Sequence, residues 1–363
     1  MAITKIPAAG FTGNNFRNII INGDMSIAQR GTSASSISTG YNTCDRWNTI
    51  QTSLGAFTQS QDTDVPSGQG FATSLKMDCT TADASPAVSD RLFIEQKFEG
   101  QNLQYLKKGT ASAETLTLSF WVKSVKTGTY IAQLYDVDNN RSISKSYTID
   151  SASTWEKKTI TFAGDTTGTL GNDNSHDLSV RFYLGVGTNY SSGTLGTSWG
   201  TAVNTNVAVG QVNLADDTAN EWFITGVQLE AASAPSDFEF LPYDMNLARC
   251  QRYFVQYGRD LNGAVDANVG IGQWYSSSEV VYNIFSPVRM RAKPTLTSPT
   301  VVGGYRFHKA GSFTNVDTGG VITNCDNQSL SVYKSGLGGG TGGQATFLAF
   351  ILAGAKLQFS SEL

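Results

Sequence analysis

At 363 residues the chain exceeds the roughly 100–200 residues usual for one domain, which argues for two. Its apolar fraction of 40% is enough for packed cores, while only 15% charged residues amid abundant Gly, Thr, Ser and Asn favours strands and turns over helices. A net charge of −4 and a pI near 5.3 supply no clustered Lys and Arg to displace counterions, which argues against nucleic acid as a partner.

In chain order, residues 1–17 form an arm with Pro7, Gly10 and Gly13 and too few apolar residues to pack alone. The arm lacks the charged start and apolar stretch of a secretory signal, so the expectation is a soluble protein made in the cytoplasm. Ile19-Ile20-Ile21 followed by Asn22-Gly23 reads as a strand entering a tight turn, and Met25 and Ile27 then resume the alternation. The strand Leu116 to Lys123 places Leu116, Leu118, Phe120 and Val122 on one face. Thr117, Ser119, Trp121 and Lys123 take the other, expected to be polar except for the tryptophan. Thr129 to Val137 enters a turn at Asp138-Asn139-Asn140, and Ser142 to Ile149 returns from it. Leu178 to Leu184 alternates Leu178, Val180, Phe182 and Leu184 inward with Ser179, Arg181 and Tyr183 outward. A Gly/Ser/Thr/Asn loop over Asn189 to Gly210 precedes a strand at Trp222 to Glu230. Short strands separated by turn signals predict an all-β chain, with a jelly-roll sandwich over residues 18–243.

The helix candidate Asp244 to Tyr253 opens a second, smaller β-sandwich over 244–363, with strands at Val269 to Tyr275, Glu279 to Phe285, Leu330 to Tyr333 and Ala345 to Leu352. Thr346 to Ala355 is the most apolar run and falls far short of the about 20 residues that span a bilayer, so membrane insertion is not expected. Gly338, Gly340 and Gly343 satisfy Gly-x-Gly-x-x-Gly. The segment after them reads as a strand rather than a helix, so the nucleotide reading is rejected. Cys44, Cys79, Cys250 and Cys325 are scattered without Cys-x-x-Cys spacing and read as free thiols.

Two blocks are more specific than composition. The first is Asn22-Gly23-Asp24-Met25-x-Ile27-x-Gln29-Arg30-Gly31 with Tyr41 and Asp45-Arg46-Trp47 beyond it. The second is Ile224-Thr225-Gly226-Val227-Gln228-Leu229-Glu230 with Phe238-Glu239, Pro242-Tyr243 and Cys250-Gln251-Arg252-Tyr253-Phe254, followed later by Pro287 to Thr295 and the terminal Glu362-Leu363. In this order they resemble a family of tailed-bacteriophage virion proteins, commonly tail-fibre or other appendage subunits. The resemblance spans Asn18 to the C-terminus. It implies a first domain similar to the jelly rolls of carbohydrate-binding modules, a homotrimer and location in the virion; the arm lies outside it and is expected to attach to other virion proteins or to a neighbouring copy of the chain. The resemblance leaves open tail, collar and head as the place on the particle.

Within these blocks Asp45 and Arg46 are expected to pair with each other beside Trp47. Gln228 and Glu230 are expected opposite the core, facing Arg252 or a neighbouring subunit. The leading chemical hypothesis is a glycan site on the polar strand faces, built from Trp121, Arg181, Tyr183 and Gln133 or Tyr135, since aromatic faces beside polar forks suit flat sugar rings. Its competitor is that a loop or another subunit covers this face. Asp136, Asp138 and Asn140 alternate as oxygen ligands of calcium loops do, without the central Gly and distal Glu of an EF-hand; a solvated turn is the competing account. No cofactor is expected, structural calcium staying open with Asp216-Asp217 as a further acidic pair.

Catalysis has little support. His176 and His308 stand beside no nucleophile motif, and nothing distinguishes Glu95, Glu99, Glu114, Glu221 and Glu230 as an acid pair for glycoside hydrolysis. The expectation is therefore a non-enzymatic virion appendage that contacts host glycans. The alternatives are a capsid-decoration, head-fibre or collar protein without adhesion, and a glycan-hydrolysing spike.

Overall fold

A computed structural model describes residues 16–258 and 267–363, so the expected arm lies up to Asn15 outside the described residues. The chain divides into two compact all-β units. Within the described residues the first takes in the chain up to Ser26, Ser33–Asn42 and Trp47–Leu241; the second takes in Ile27–Thr32, Thr43–Arg46 and the chain from Pro242 on. The second unit begins its main segment beside the boundary expected from sequence. It also claims two short segments that the sequence reading assigns to the first sandwich.

The first unit is a sandwich of two antiparallel sheets. One runs Ser33–Ala34, Ala56–Asp62, Ser74–Thr81, Glu221–Ala231, Leu116–Ser124, Glu156–Phe162. The other runs Gly200–Thr201, Arg141–Ile149, Gly128–Asp136, His176–Val186, Arg91–Glu99, Asn48–Thr52, Gly40–Tyr41. Period-two alternation sends Leu118, Phe120 and Val122 from the first sheet, and Leu178, Val180, Phe182 and Leu184 from the second, into a shared core. There Phe120 meets Phe182 edge-on at 5.1 Å between ring centroids, and Trp47 and Trp222 flank Phe182 at 6.3 and 6.4 Å. Such aromatic pairs each add about 0.5–1.5 kcal/mol beyond their buried area.

The opposite face of Leu116–Ser124 is less open than its sequence suggests, because Thr117 and Ser119 are buried as well. The chain after the Glu221–Ala231 strand folds back over it, and the Thr117 hydroxyl donates to Ala232 O at 2.7 Å. Gln228 and Glu230 hold this return. The Gln228 Oε1 accepts the Glu239 N–H at 2.8 Å and Glu230 accepts the Ser236 N–H at 2.9 Å. The Glu239 carboxylate in turn accepts the N–H groups of Phe16 and Asn18. These contacts give Gln228 and Glu230 a local purpose, pinning the segments at both ends of the unit.

Ile19–Ile21 does not enter a sheet ladder. The Gln96 side chain takes the place of a strand, accepting the Ile21 N–H at 2.7 Å and donating to Ile21 O at 2.8 Å. Gly23 is required where the chain passes the Glu221–Ala231 strand: a Cβ there would lie 2.1 Å from Val227 O.

In the second unit a helix, Tyr243–Gln251, leads into a three-stranded sheet of Phe254–Gly258, Lys356–Ser360 and Thr295–Thr297. Val255, Leu357 and Phe359 of that sheet pack with Tyr282, Phe307 and Leu348 of a seven-stranded sheet, making a second sandwich core. Asp45 and Arg46 do not clasp each other as expected. Asp45 accepts the Gln29 N–H at 3.0 Å, while Arg46 pairs with Glu362 and stacks on Tyr253 at 3.5 Å. Arg30 also reaches Glu362, at 3.1 Å, and lies 3.6 Å over the Phe254 ring. Burial pushes the Asp45 carboxyl up to about 7 despite Arg30 beside it.

Candidate functional site

Four of the five side chains expected at a glycan site come from two neighbouring strands of the seven-stranded sheet of the first unit. Gln133 and Tyr135 lie on Gly128–Asp136, Arg181 and Tyr183 on His176–Val186, and Arg181 stands directly opposite Gln133 in the register. Arg91–Glu99 lies on the other flank of His176–Val186, placing Glu95 opposite Arg181 and Phe93 opposite Tyr183. Trp121 belongs to the other sheet, between Lys157 and Thr225, and does not join them. Alternation fixes which side of a strand a residue occupies, but it does not fix which sheet the strand joins.

The four residues and Glu95 line a cavity of about 280 Å³ on the outer face of the sheet. Arg181 Nε donates to Glu95 Oε2 at 2.9 Å, and Asn48 Nδ2 donates to Glu95 Oε1 at 3.1 Å. The Tyr183 hydroxyl donates to Gln133 Oε1 at 3.0 Å, and the Arg181 guanidinium lies 4.2 Å over the Tyr135 ring. Burial alone would raise the Glu95 carboxyl. The charges of Arg181 and Lys97 and the hydrogen bonds from Arg181 and Asn48 outweigh it and hold the group below its ordinary range. Glu95 is therefore an ionised anchor with no proton to give near neutral pH.

Gln133 Nε2 is buried and donates to no protein group among the described residues. A buried amide donor left unmade costs about 1–3 kcal/mol, so this atom marks where a ligand oxygen would be received.

The loop following the His176–Val186 strand decides how much of this face is open. Val207 and Ala208, with Tyr190 and Leu195 beside them, pack on Phe93, Ile131 and Tyr183. Tyr183 is thereby 3% exposed, so it acts through its hydroxyl and cannot serve as a stacking platform. Tyr135, Tyr190, Asn140 and Asn204 remain at the rim. Sequence reasoning names Glu95 only as a possible hydrolytic acid and Asn140 only as a metal candidate, and it misses Asn48, Tyr190 and Asn204. For Glu95 a signal exists, because Arg91, Phe93, Glu95 and Lys97 alternate outward on one strand; the loop residues carry none.

The alternating acids diverge. Asp136 is buried and paired with Lys108, and it accepts the Asn139 N–H at 3.0 Å. Asp138 projects from the turn and accepts the Gly171 N–H at 3.1 Å, while Asn140 faces the cavity. Among the described residues no group of three or more His, Cys, Asp or Glu converges as metal ligands. Asp216 pairs with Lys126 and Asp217 accepts the Ala219 N–H. The other acids considered for hydrolysis are engaged as well, Glu114 by Lys107, Glu221 by Lys76, Glu230 by Ser236 and Glu99 by Gln101. Glu95 is the only acid among the described residues lining the cavity.

No protein-family model matches the chain, and no curated protein matches it. Among solved structures it is similar to the enzymatically active domain of bacteriophage CBA120 tailspike protein 4, at 15% identity over 60% of this chain and a TM-score of 0.32. The match spans only 22% of that chain's length. It is also similar to TmCBM61, solved with β-1,4-galactotriose, at 12% identity over 60% of this chain and 99% of that one, TM-score 0.31. A sugar-binding protein candidate from Bacteroides thetaiotaomicron VPI-5482 matches at 11% identity over 59% and 100% of the two chains, TM-score 0.33. Likeness of this degree carries no functional inference.

Proposed function

We propose that the chain is a structural appendage subunit of a tailed-phage virion, a tail fibre or similar part, whose first unit binds a host surface glycan in the Gln133–Arg181 cavity. The observation that carries the glycan reading is the buried, undonated Gln133 Nε2 beside an Arg181 guanidinium fixed by Glu95 and flanked by Tyr135. Sugar hydroxyls accept from such amide donors, and ring C–H faces pack on tyrosine. The virion reading rests on the order of the motif blocks from Asn22 to Glu362.

Binding without cleavage follows from the acid inventory. Hydrolysis of a glycoside needs two carboxyl groups across the scissile bond, one of them able to donate a proton. This cavity offers Glu95 alone among the described residues, held ionised by Arg181.

The second unit supplies a surface for self-association, with a trimer as the proposed state. Ile271, Phe285 and Val321 are 80%, 71% and 61% exposed, and the ladder registers put all three on the outward face of one sheet. Apolar side chains grouped on one sheet face favour burial against a further copy.

Glycan-array binding and calorimetry on the purified chain test the site. Gln133→Ala and Arg181→Ala are expected to abolish binding and Trp121→Ala to retain it. A chain that binds no glycan, or that loses binding only with Trp121→Ala, overturns the site. Light scattering tests the assembly: the expected mass is that of three chains, falling to one chain in the Ile271→Asp/Phe285→Asp double variant.

A further inference from the structure

The cavity of the first unit carries more positive charge than the protein neutralises. Its charged lining residues are Arg91, Glu95 and Arg181, two cations to one anion. The one carboxylate is already committed. Glu95 accepts from Arg181 Nε at 2.9 Å and from Asn48 Nδ2 at 3.1 Å, and Lys97 Nζ stands 3.7 Å from it. A surplus of positive charge is therefore left in the cavity of a chain whose overall charge is −4.

The surplus sits on Arg91. It opens the Arg91–Glu99 strand four residues before Glu95, so at about 3.3 Å per residue the two Cα positions lie about 13 Å apart. This separates Arg91 from the Arg181–Glu95 pair along the cavity. Its ladder partners are Thr52 and Val186, neither of which offers a carboxylate. Arg91 joins no ion pair among the described residues, and its Nε is buried without a hydrogen-bond partner. The guanidinium lies 5.3 Å from the centroid of the Tyr190 ring, which holds it at the rim. Burial raises the Tyr183 hydroxyl above its ordinary range, and both Arg181 and Arg91 act against that rise, so Arg91 faces the same interior as Arg181. A buried donor left unmade is costly, the more so when it is charged.

We propose that the glycan bound here is acidic, and that Arg91 receives a sugar carboxylate while Gln133 Nε2 donates to a hydroxyl of the same glycan. This rests on the glycan reading and narrows it to a ligand class. A planar guanidinium presents parallel N–H groups that match the two oxygens of a carboxylate, a fit that an ammonium group lacks. A carboxylate also brings one negative charge to one uncommitted guanidinium. A phosphate monoester brings about 1.5–2, and the second guanidinium is already held by Glu95.

The competitor is an Arg91 that only steadies Tyr190 and the loop after the His176–Val186 strand. The two accounts differ in selectivity. A structural Arg91 supports every glycan alike, so its removal weakens an acidic sugar and the matching neutral one by the same factor. An Arg91 that takes the carboxylate discriminates between them, and its contribution is screened by salt because the cavity opens to solvent at the rim.

The experiment is calorimetric titration of the full chain near neutral pH with oligosaccharides containing glucuronic, galacturonic or sialic acid, each beside its carboxyl-reduced counterpart. An acidic glycan is expected to bind roughly tenfold or more tightly than its reduced form, with an advantage that shrinks as NaCl is raised. Arg91→Ala is expected to remove most of that advantage, and Arg91→Lys, which keeps the charge without the fork, to retain part of it. Comparing two glycans on one variant cancels any loss of folded protein. Equal binding of the acidic and reduced forms, or an acidic advantage undiminished in Arg91→Ala, overturns the inference. In either case abolition of the remaining binding by Gln133→Ala would keep the cavity as a glycan site. A chain that binds neither form of any glycan overturns the glycan reading, and this inference with it.

Discussion

The two outer faces of the first sandwich carry the same kinds of side chain and put them to different use. On the face of Trp121, Lys123 pairs with Asp64 and lies 4.2 Å over the Phe223 ring, while Trp155 Nε1 donates to Asp64 Oδ1 at 2.8 Å. Those charges and donors close on one another. On the face of Arg181 that charge also pairs, with Glu95, but Gln133 Nε2 stays unmet and a cavity stands over it. An aromatic residue among polar ones is thus no sign of a site by itself; a donor that the protein declines to satisfy is a better one.

Substitution can break the contrast. Arg181→Ala should have the largest effect, leaving Glu95 buried without its main counter-charge and costing about 3 kcal/mol of stability in urea denaturation together with all glycan binding. Glu95→Gln should cost about 2 kcal/mol near neutral pH. Because the folded-state pKa of Glu95 lies below its unfolded value, that stabilisation is complete above the ordinary Glu value of about 4.3 and is lost as the pH falls through the lower folded value. The gap between wild type and Glu95→Gln should therefore close in acid unfolding curves. A gap that widens instead would sink the assignment of Glu95 as ionised. Gln133→Ala should cost about 1–2 kcal/mol, since it leaves the buried Tyr183 hydroxyl without its acceptor, while abolishing glycan binding in calorimetry. On the other face, Lys123→Ala should shift stability by no more than about 0.5–1 kcal/mol, since its ion-pair partner Asp64 is exposed to solvent, and leave binding untouched.

Much of this was legible in the sequence where the cause is local. Leu178 to Leu184 alternates as it reads, and Gln133, Tyr135, Arg181 and Tyr183 meet because their strands are sheet neighbours. Trp121 shows the limit: its outward orientation follows from period two, but its sheet is set by pairing with Glu156–Phe162 and Glu221–Ala231, which no local pattern encodes. The three isoleucines at 19–21 look like a strand, yet a side chain from Gln96 satisfies the peptide that a neighbouring strand would otherwise engage. Asp45 and Arg46 are adjacent in sequence and take different partners, because Glu362 and Gln29 reach them first in space.

The contact between Arg30 and Glu362 spans 332 positions. During synthesis Arg30 emerges early and can face Asp45 soon after, but its contact with Glu362 must wait until nearly all the described chain has left the ribosome. The second unit is then a late-closing structure whose first residues are among the oldest, and long-range closure of this kind slows folding. Truncations that remove the last few residues should accordingly take the Glu362 carboxylate from Arg30 and Arg46 together and register as a folding defect far upstream of the cut.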